Sequence, residues 1–473
     1  MDTKIMPFHR LFSKTMYKNL KLPLGEMTFS KDFVTDSRGD LYPAIDQSAD
    51  CAETVENNRY NIKSGSVERM FGSYFPYASY EIAFSLSKGA CGLAFHIPNG
   101  SAAITCGNDE VIFSVNGKQQ AFERKSRGDG ETMIVSCRKK AFDVYFVCNG
   151  LPKYFCTFET DVFEHSNLQK IYQNGYVCLL ASGQTTVTAV SFYIDCGISQ
   201  ADLRPIRYEN GEVIYEQGKI YLTATVRMQE EMFQAVFGWT PSTDAFELTG
   251  ALFYTVGDGY INGDVAASVL YNRNNNMWYL WVCSFAHQHI PAHSAFKGDP
   301  RFGVNIVDIT LMKKADSNSD ITDFVGFEGD EDPDFYYNES EKKWYMAICR
   351  LEPSTESYKY FFFKSDKPFD EYKYIGRGYD GAETGGSFVT VNGERLFICG
   401  NDYNKKSNYR IYSKEGLGQA EFDFPDGGFR GWGTVIPVEM GSRIRYFWLT
   451  FDRHNGSEYN WSYGNIYCFE SQM

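Results

Sequence analysis

The chain has 473 residues, a formal charge of −14, and 38 Phe, 33 Tyr, 7 Trp and 42 Gly. That length exceeds one ordinary core, and the interspersed acidic balance argues against nucleic acid or an anionic membrane as the main partner. No run approaches the roughly 20 apolar residues of a membrane span, and the aromatic and glycine content favours many short strands over long helices.

Residues 1–27 read as a basic, mildly amphipathic leader or edge segment. They contain no uninterrupted apolar stretch and no small-residue cleavage site. Residues 28–200 are dense with predicted strands, among them Tyr80–Leu86, Gly92–Ile97, Glu110–Val115, Phe142–Cys148 and Thr186–Ile194. Asn116-Gly117, Asn149-Gly150 and Asn174-Gly175 supply turn chemistry between them. This pattern predicts a two-sheet β-sandwich of jelly-roll type, and its final strand pair resembles the close of concanavalin- or laminin-G-like sandwiches. Most of the 12 cysteines sit inside strand patterns without framework spacing, so they read as buried apolar residues of a chain kept in a reducing cytoplasm.

Residues 201–473 repeat one pattern five times: a short strand, a tight turn, then an aromatic-rich strand closing on a small residue. The repeats are Gly211–Val226, Ala267–Ser284, Asp334–Arg350, Ser387–Gly400 and Val435–Phe451. A period of roughly 50 residues in all-β sequence predicts a propeller, here of five blades. Asp264, Asp332 and Glu383 stand at or just before the inner strands of three consecutive repeats, where a shared channel would gather them. Cleaving a glycosidic bond needs a proton for the leaving oxygen and a second carboxylate as base or nucleophile. A third acid nearby helps to hold the donor protonated, because like charges resist joint ionisation.

Asn262-Gly263-Asp264, Glu331-Asp332-Pro333-Asp334 and Ala382-Glu383-Thr384-Gly385-Gly386 follow one another in that order. In this they resemble the five-bladed propeller glycoside hydrolases of families 43 and 62, with relatives in families 32 and 68. Asp332-Pro333, with Phe335-Tyr336-Tyr337 and Trp344-Tyr345 after it, is most similar to the second blade of that group. Val follows Asp264 and Thr follows Glu383, where the group has Pro and Gly. The resemblance implies Asp264 as base or nucleophile, Asp332 as modulator of the donor's pKa, and Glu383 as general acid. It also implies a histidine near the channel axis, beside an ion or water, for which His287 or His289 is the candidate.

Further substrate-binding candidates are Arg350, which follows Cys349 at the end of an inner strand pair, Asp334 in the Asp-Pro motif, and Trp432, whose ring suits a sugar face. His287, His289 and His293 share one loop, but no second cluster completes a metal site, so no metal is expected beyond a structural cation in the channel. No organic cofactor is implied. The expected function is hydrolysis of small oligosaccharides or glycosides, of a furanose or pentose sugar. One alternative is a retaining fructosyl hydrolase or transferase of the family 32 and 68 kind. The other is a non-catalytic carbohydrate-binding propeller, marked by carboxylates that fail to converge or are tied up in salt bridges.

Overall fold

The computed structural model describes residues 4–14, 20–30, 33–36, 42–125, 130–196, 199–227, 231–313, 318–322, 328–352, 354–378, 382–401, 408–413, 416–422, 429–440, 443–452 and 466–472. They divide into two compact units. One comprises Lys21–Asp195 with Gly259–Ile261; the other comprises Met1–Leu20, Cys196–Asp258 and Asn262–Met473. No helix among the described residues is long and apolar enough to cross a membrane.

The first unit is built from a seven-stranded and a nine-stranded sheet, antiparallel throughout their paired strands. Aromatic rings join the two: Phe95 meets Phe142 at 4.8 Å between centroids, and Phe113 stacks on Phe158 at 4.7 Å. Asn116-Gly117 and Asn149-Gly150 turn hairpins, with positive φ at all four residues. Asn174-Gly175 does not; it follows a short helix, Gln169–Tyr172. Gly175 is required there because a Cβ would lie 2.8 Å from Tyr74 Cβ.

The second unit is a five-bladed propeller. Blade 1 runs outward through Ser199–Pro205, Lys219–Arg227, Met232–Thr240 and Ala245–Thr255. Blade 2 holds Val265–Asn272, Met277–Ser284, Ile290–Phe296 and Thr310–Leu311. Blade 3 holds Glu328–Asn338, Lys343–Glu352, Ser357–Ser365 and Lys373–Arg377. Blade 4 holds Glu383–Val391, Glu394–Asn401, Asn408–Ser413 and Gly416–Phe422. Blade 5 takes Phe429–Met440, Arg443–Asp452 and Ile466–Gln472 from the C-terminus and its outer strand, Lys4–Lys14, from the N-terminus.

The N-terminal segment, read as a leader or edge segment, supplies strands: Lys4–Lys14 is the outer strand of blade 5, and Lys21–Ser30 pairs into the nine-stranded sheet. Ser199–Pro205, where the two domains meet along the chain, supplies the innermost strand of blade 1. Second strands such as Met277–Ser284 are apolar on both faces and almost wholly buried, because each blade is covered by a neighbour on either side. The cores accordingly lie between blades. Tyr221, Val236 and Leu252 share a buried cluster with Val269, Trp278 and Leu280, while Phe8 joins Val389, Ile411 and Trp448. Trp239 against Phe447, at 5.3 Å, seals blade 1 to blade 5.

Candidate active site

Near its start, the inner strand of every blade breaks register with the second strand, and that of blade 3 does so a second time, between Glu328 and Asp330. The breaks common to all five fall between Ala201 and Arg204, Val265 and Ser268, Glu331 and Asp334, Thr384 and Ser387, and Arg430 and Thr434. A bulge of this kind inserts a residue and re-aims the side chains around it. In blades 1 to 4 a residue inside the break has left-handed backbone: Asp202 (φ 52°), Ala266 (58°), Asp332 (48°) and Gly385 (62°). Glycine adopts that region freely and aspartate tolerates it, whereas alanine does so at roughly 1–2 kcal/mol.

Two residues before these stand Gln200, Asp264, Asp330 and Glu383. Three successive blades therefore do carry a carboxylate at one structural position, but blade 3 contributes Asp330 and not Asp332. Asp332 occupies the bulge itself. Its Oδ2 accepts hydrogen bonds from Thr384 Oγ1 at 3.1 Å and Gly385 N at 3.0 Å, and Arg204 lies 3.7 Å from its other oxygen. It ties blade 3 to the residues directly after Glu383.

Each equivalent carboxylate has its own partners. Asp264 is buried, accepting from Ser284 Oγ at 2.7 Å and Ala286 N at 3.2 Å. Burial pushes its pKa up, against the pull of those hydrogen bonds and of His287. Asp330 faces Arg350, which stands opposite it on the second strand, through contacts of 2.7 and 2.9 Å. Burial nevertheless raises its pKa. Glu383 has no exposed surface: Arg410 Nη1 lies 3.0 Å from Oε1, Tyr412 donates to the same oxygen, and Tyr360 N reaches Oε2 at 3.5 Å.

His287 and His289 lie beside this array. Ser284 Oγ bridges Asp264 to His287 Nδ1 (2.9 Å), whose ring is 3.8 Å from Asp258. His289 feels the charge of Asp264 and sits 3.7 Å from Glu331 Oε1; burial lowers its pKa. His293 turns elsewhere, stacked on Phe369 at 4.7 Å. The loop therefore does not gather its three histidines around one ion.

A cavity of about 880 Å³ opens between blades 2 and 3, lined by His289, Asp330, Arg350 and Tyr358 among others. Tyr358 donates to Glu331 at 3.0 Å. Arg350 lines this cavity and is occupied there by Asp330. Asp334 is corrected: it is fully buried, bonded by Arg207, by Ser268 Oγ at 2.5 Å and by Phe388 N at 2.6 Å. With both oxygens taken inside the protein, it braces blades 2, 3 and 4 and offers nothing to a substrate. Trp432 falls in the strand Phe429–Met440, and its side chain lies outside the described residues.

Asp330, Glu331, Tyr358 and Arg410 were not singled out by sequence. The acidic run Glu328–Asp334 was the available signal for the first two. Nothing local announces Arg410, which reaches Glu383 from the third strand of blade 4.

No family matches the sequence, and no curated protein sequence matches it. Among solved structures, the chain is similar to a GH62 hydrolase in complex with xylotriose, at 13% identity over 59% of this chain and 92% of that one, with a TM-score of 0.38. An α-L-arabinofuranosidase from Podospora anserina in complex with cellotriose is 13% identical over 59% and 91%, with a TM-score of 0.39. Levansucrase of Bacillus subtilis is 9% identical over 58% and 84%, with a TM-score of 0.41.

Proposed function

We propose that the propeller is a glycoside hydrolase for small oligosaccharides or glycosides of a furanose or pentose sugar, working in a reducing compartment. The equivalence of Asp264, Asp330 and Glu383 at the start of three neighbouring inner strands carries the reading. The cavity beside Asp330, with His289, Arg350 and Tyr358 on a partly apolar wall, has the size of a small-molecule site, and of the three carboxylates Asp330 alone lines it.

Glycosidic cleavage needs one carboxyl that holds a proton and one that is ionised. Asp264 suits the first role, since burial raises its pKa and its partners are a hydroxyl and a backbone amide. Burial raises the pKa of Asp330 as well, but Arg350 against it favours its ionised form, which suits the second. Glu383 is clamped by Arg410 and Tyr412 and acts in this reading as a support, so the roles differ from those the family resemblance implies.

The test is hydrolysis of aryl arabinofuranosides, xylosides, galactofuranosides and fructosides by the wild type, Asp264→Asn, Asp330→Asn and Glu383→Gln. Turnover lost in the two aspartate variants, with activated leaving groups partly rescuing Asp264→Asn, supports the assignment. Rescue confined to Glu383→Gln returns the acid role to Glu383. The clamped Glu383 also favours a second reading, a sugar-binding propeller without catalysis. Oligosaccharides that bind without any cleavage select it.

A further inference from the structure

Outside the propeller, three side chains of different donor chemistry meet on one face of the seven-stranded sheet. Glu68 lies on Ser66–Ser73, Cys178 on Tyr176–Ser182 and His96 on Cys91–Ile97, with the cysteine strand in the middle. Register pairs Tyr176 with His96 and Leu180 with Glu68, so each partner is offset by two residues from Cys178. Side chains two apart share a face of a strand, which turns all three the same way. One ligand atom from each lies within 4.8 Å of the other two, and this is the one such group of His, Cys, Asp or Glu among the described residues.

We propose that Glu68, His96 and Cys178 form a binding site for a zinc-like divalent transition metal ion. Carboxylate oxygen, imidazole nitrogen and thiolate sulfur are the three zinc ligands, at roughly 2.0–2.3 Å from the ion, which sets donor atoms roughly 3.4–3.6 Å apart in a tetrahedron. His96 Nε2 and Glu68 Oε1 are now 2.5 Å apart, so opening them by about 1 Å admits the ion. Two hydrogen-bonded neighbours can separate that far by side-chain rotation, while the three strands hold the Cα positions. Tyr176 stacks on His96 at 4.7 Å and fixes the plane of the ring. Met70, directly opposite Cys178 in register, brings a thioether to the same face.

The ligands grade from wet to dry. The side chains of His96 and Glu68 are 25% and 21% exposed, which gives an ion its way in, whereas Cys178 is fully buried beneath them. Burial and the Glu68 charge keep the Cys178 thiol protonated without metal. Binding breaks its S–H bond, forms a metal–sulfur bond and releases the proton to water. Three protein ligands leave a fourth position for water. The site lies in the other compact unit and does not depend on the activity proposed for the propeller.

The full chain, stripped with a chelator, is titrated with Zn²⁺ against a chromophoric competitor and with Co²⁺ followed by absorption. One equivalent is expected to bind, and the Co²⁺ form is expected to show a near-ultraviolet thiolate charge-transfer band. Cys178→Ser should erase the band. His96→Gln and Glu68→Gln should each weaken Zn²⁺ by more than about 100-fold, exceeding the loss of an outer partner. X-ray absorption of the wild-type zinc form, which needs no variant to fold, should report one sulfur among nitrogen and oxygen ligands. Failure to bind, sulfur counts of none or four, or equal binding by wild type and variants overturns the proposal.

Discussion

The carboxylate of Asp332 accepts the backbone N–H of Gly385 at 3.0 Å, linking the bulge of blade 3 to the bulge of blade 4. A group so engaged positions the two inner strands, and Asp330 is left to face the cavity. Asp332→Ala should therefore cost about 1–3 kcal/mol, the price of leaving buried donors unsatisfied. Asp330→Asn should abolish turnover and, by leaving the buried Arg350 without its partner, should itself cost about 3–5 kcal/mol in urea denaturation. Equal stability loss with activity lost only in Asp332→Ala would restore Asp332 to the chemistry.

Glu383 and Arg410 form a buried pair 3.0 Å apart. Removing one member strands the other charge in a dry interior, at about 3–5 kcal/mol. Arg410→Met should thus be more damaging than Arg410→Met combined with Glu383→Gln. A double-mutant cycle read by chemical denaturation checks this, and additive losses would show that the pair is not coupled.

His293, packed against Phe369 and Trp281, is held neutral by burial, its pKa lowered from 6.5 to about 4. The folded state binds fewer protons than the unfolded one between those values. Stability should be intact above pH 6.5 and decline as pH falls toward about 4, by about 2–3 kcal/mol from this group. His293→Phe should flatten that part of the profile. Thermal melts of both proteins across the window provide the comparison.

Phe8 is buried against Trp448, with ring centroids 5.5 Å apart. Phe8→Ala should cost about 3–5 kcal/mol, as for other large buried aromatics. The loss should appear in the unfolding of the propeller, because Lys4–Lys14 pairs with the C-terminal strand Ile466–Gln472. A midpoint in urea unchanged from wild type would mean that ring closure does not rest on the N-terminal strand.

The chain's own sequence determined the all-β class, the five repeats and the hairpins within them. Those are local matters: Trp278, Tyr279 and Trp281 show a strand buried on both faces, and the Asn-Gly pairs at 116–117 and 149–150 adopt the positive φ their turns need. It also brought the carboxylates into view, in blade order. Which of them are equivalent was decided by tertiary structure. A bulge moves pairing by one residue, and its place depends on the neighbouring strand, so Asp330 and Asp332 cannot be ranked by position in an acidic run. The same holds for contacts between distant strands. Arg410 beside Glu383, Arg207 beside Asp334 and Phe8 beside Trp448 join segments whose separation along the chain leaves no local trace, because burial and pairing arise only once the blades have closed into a ring.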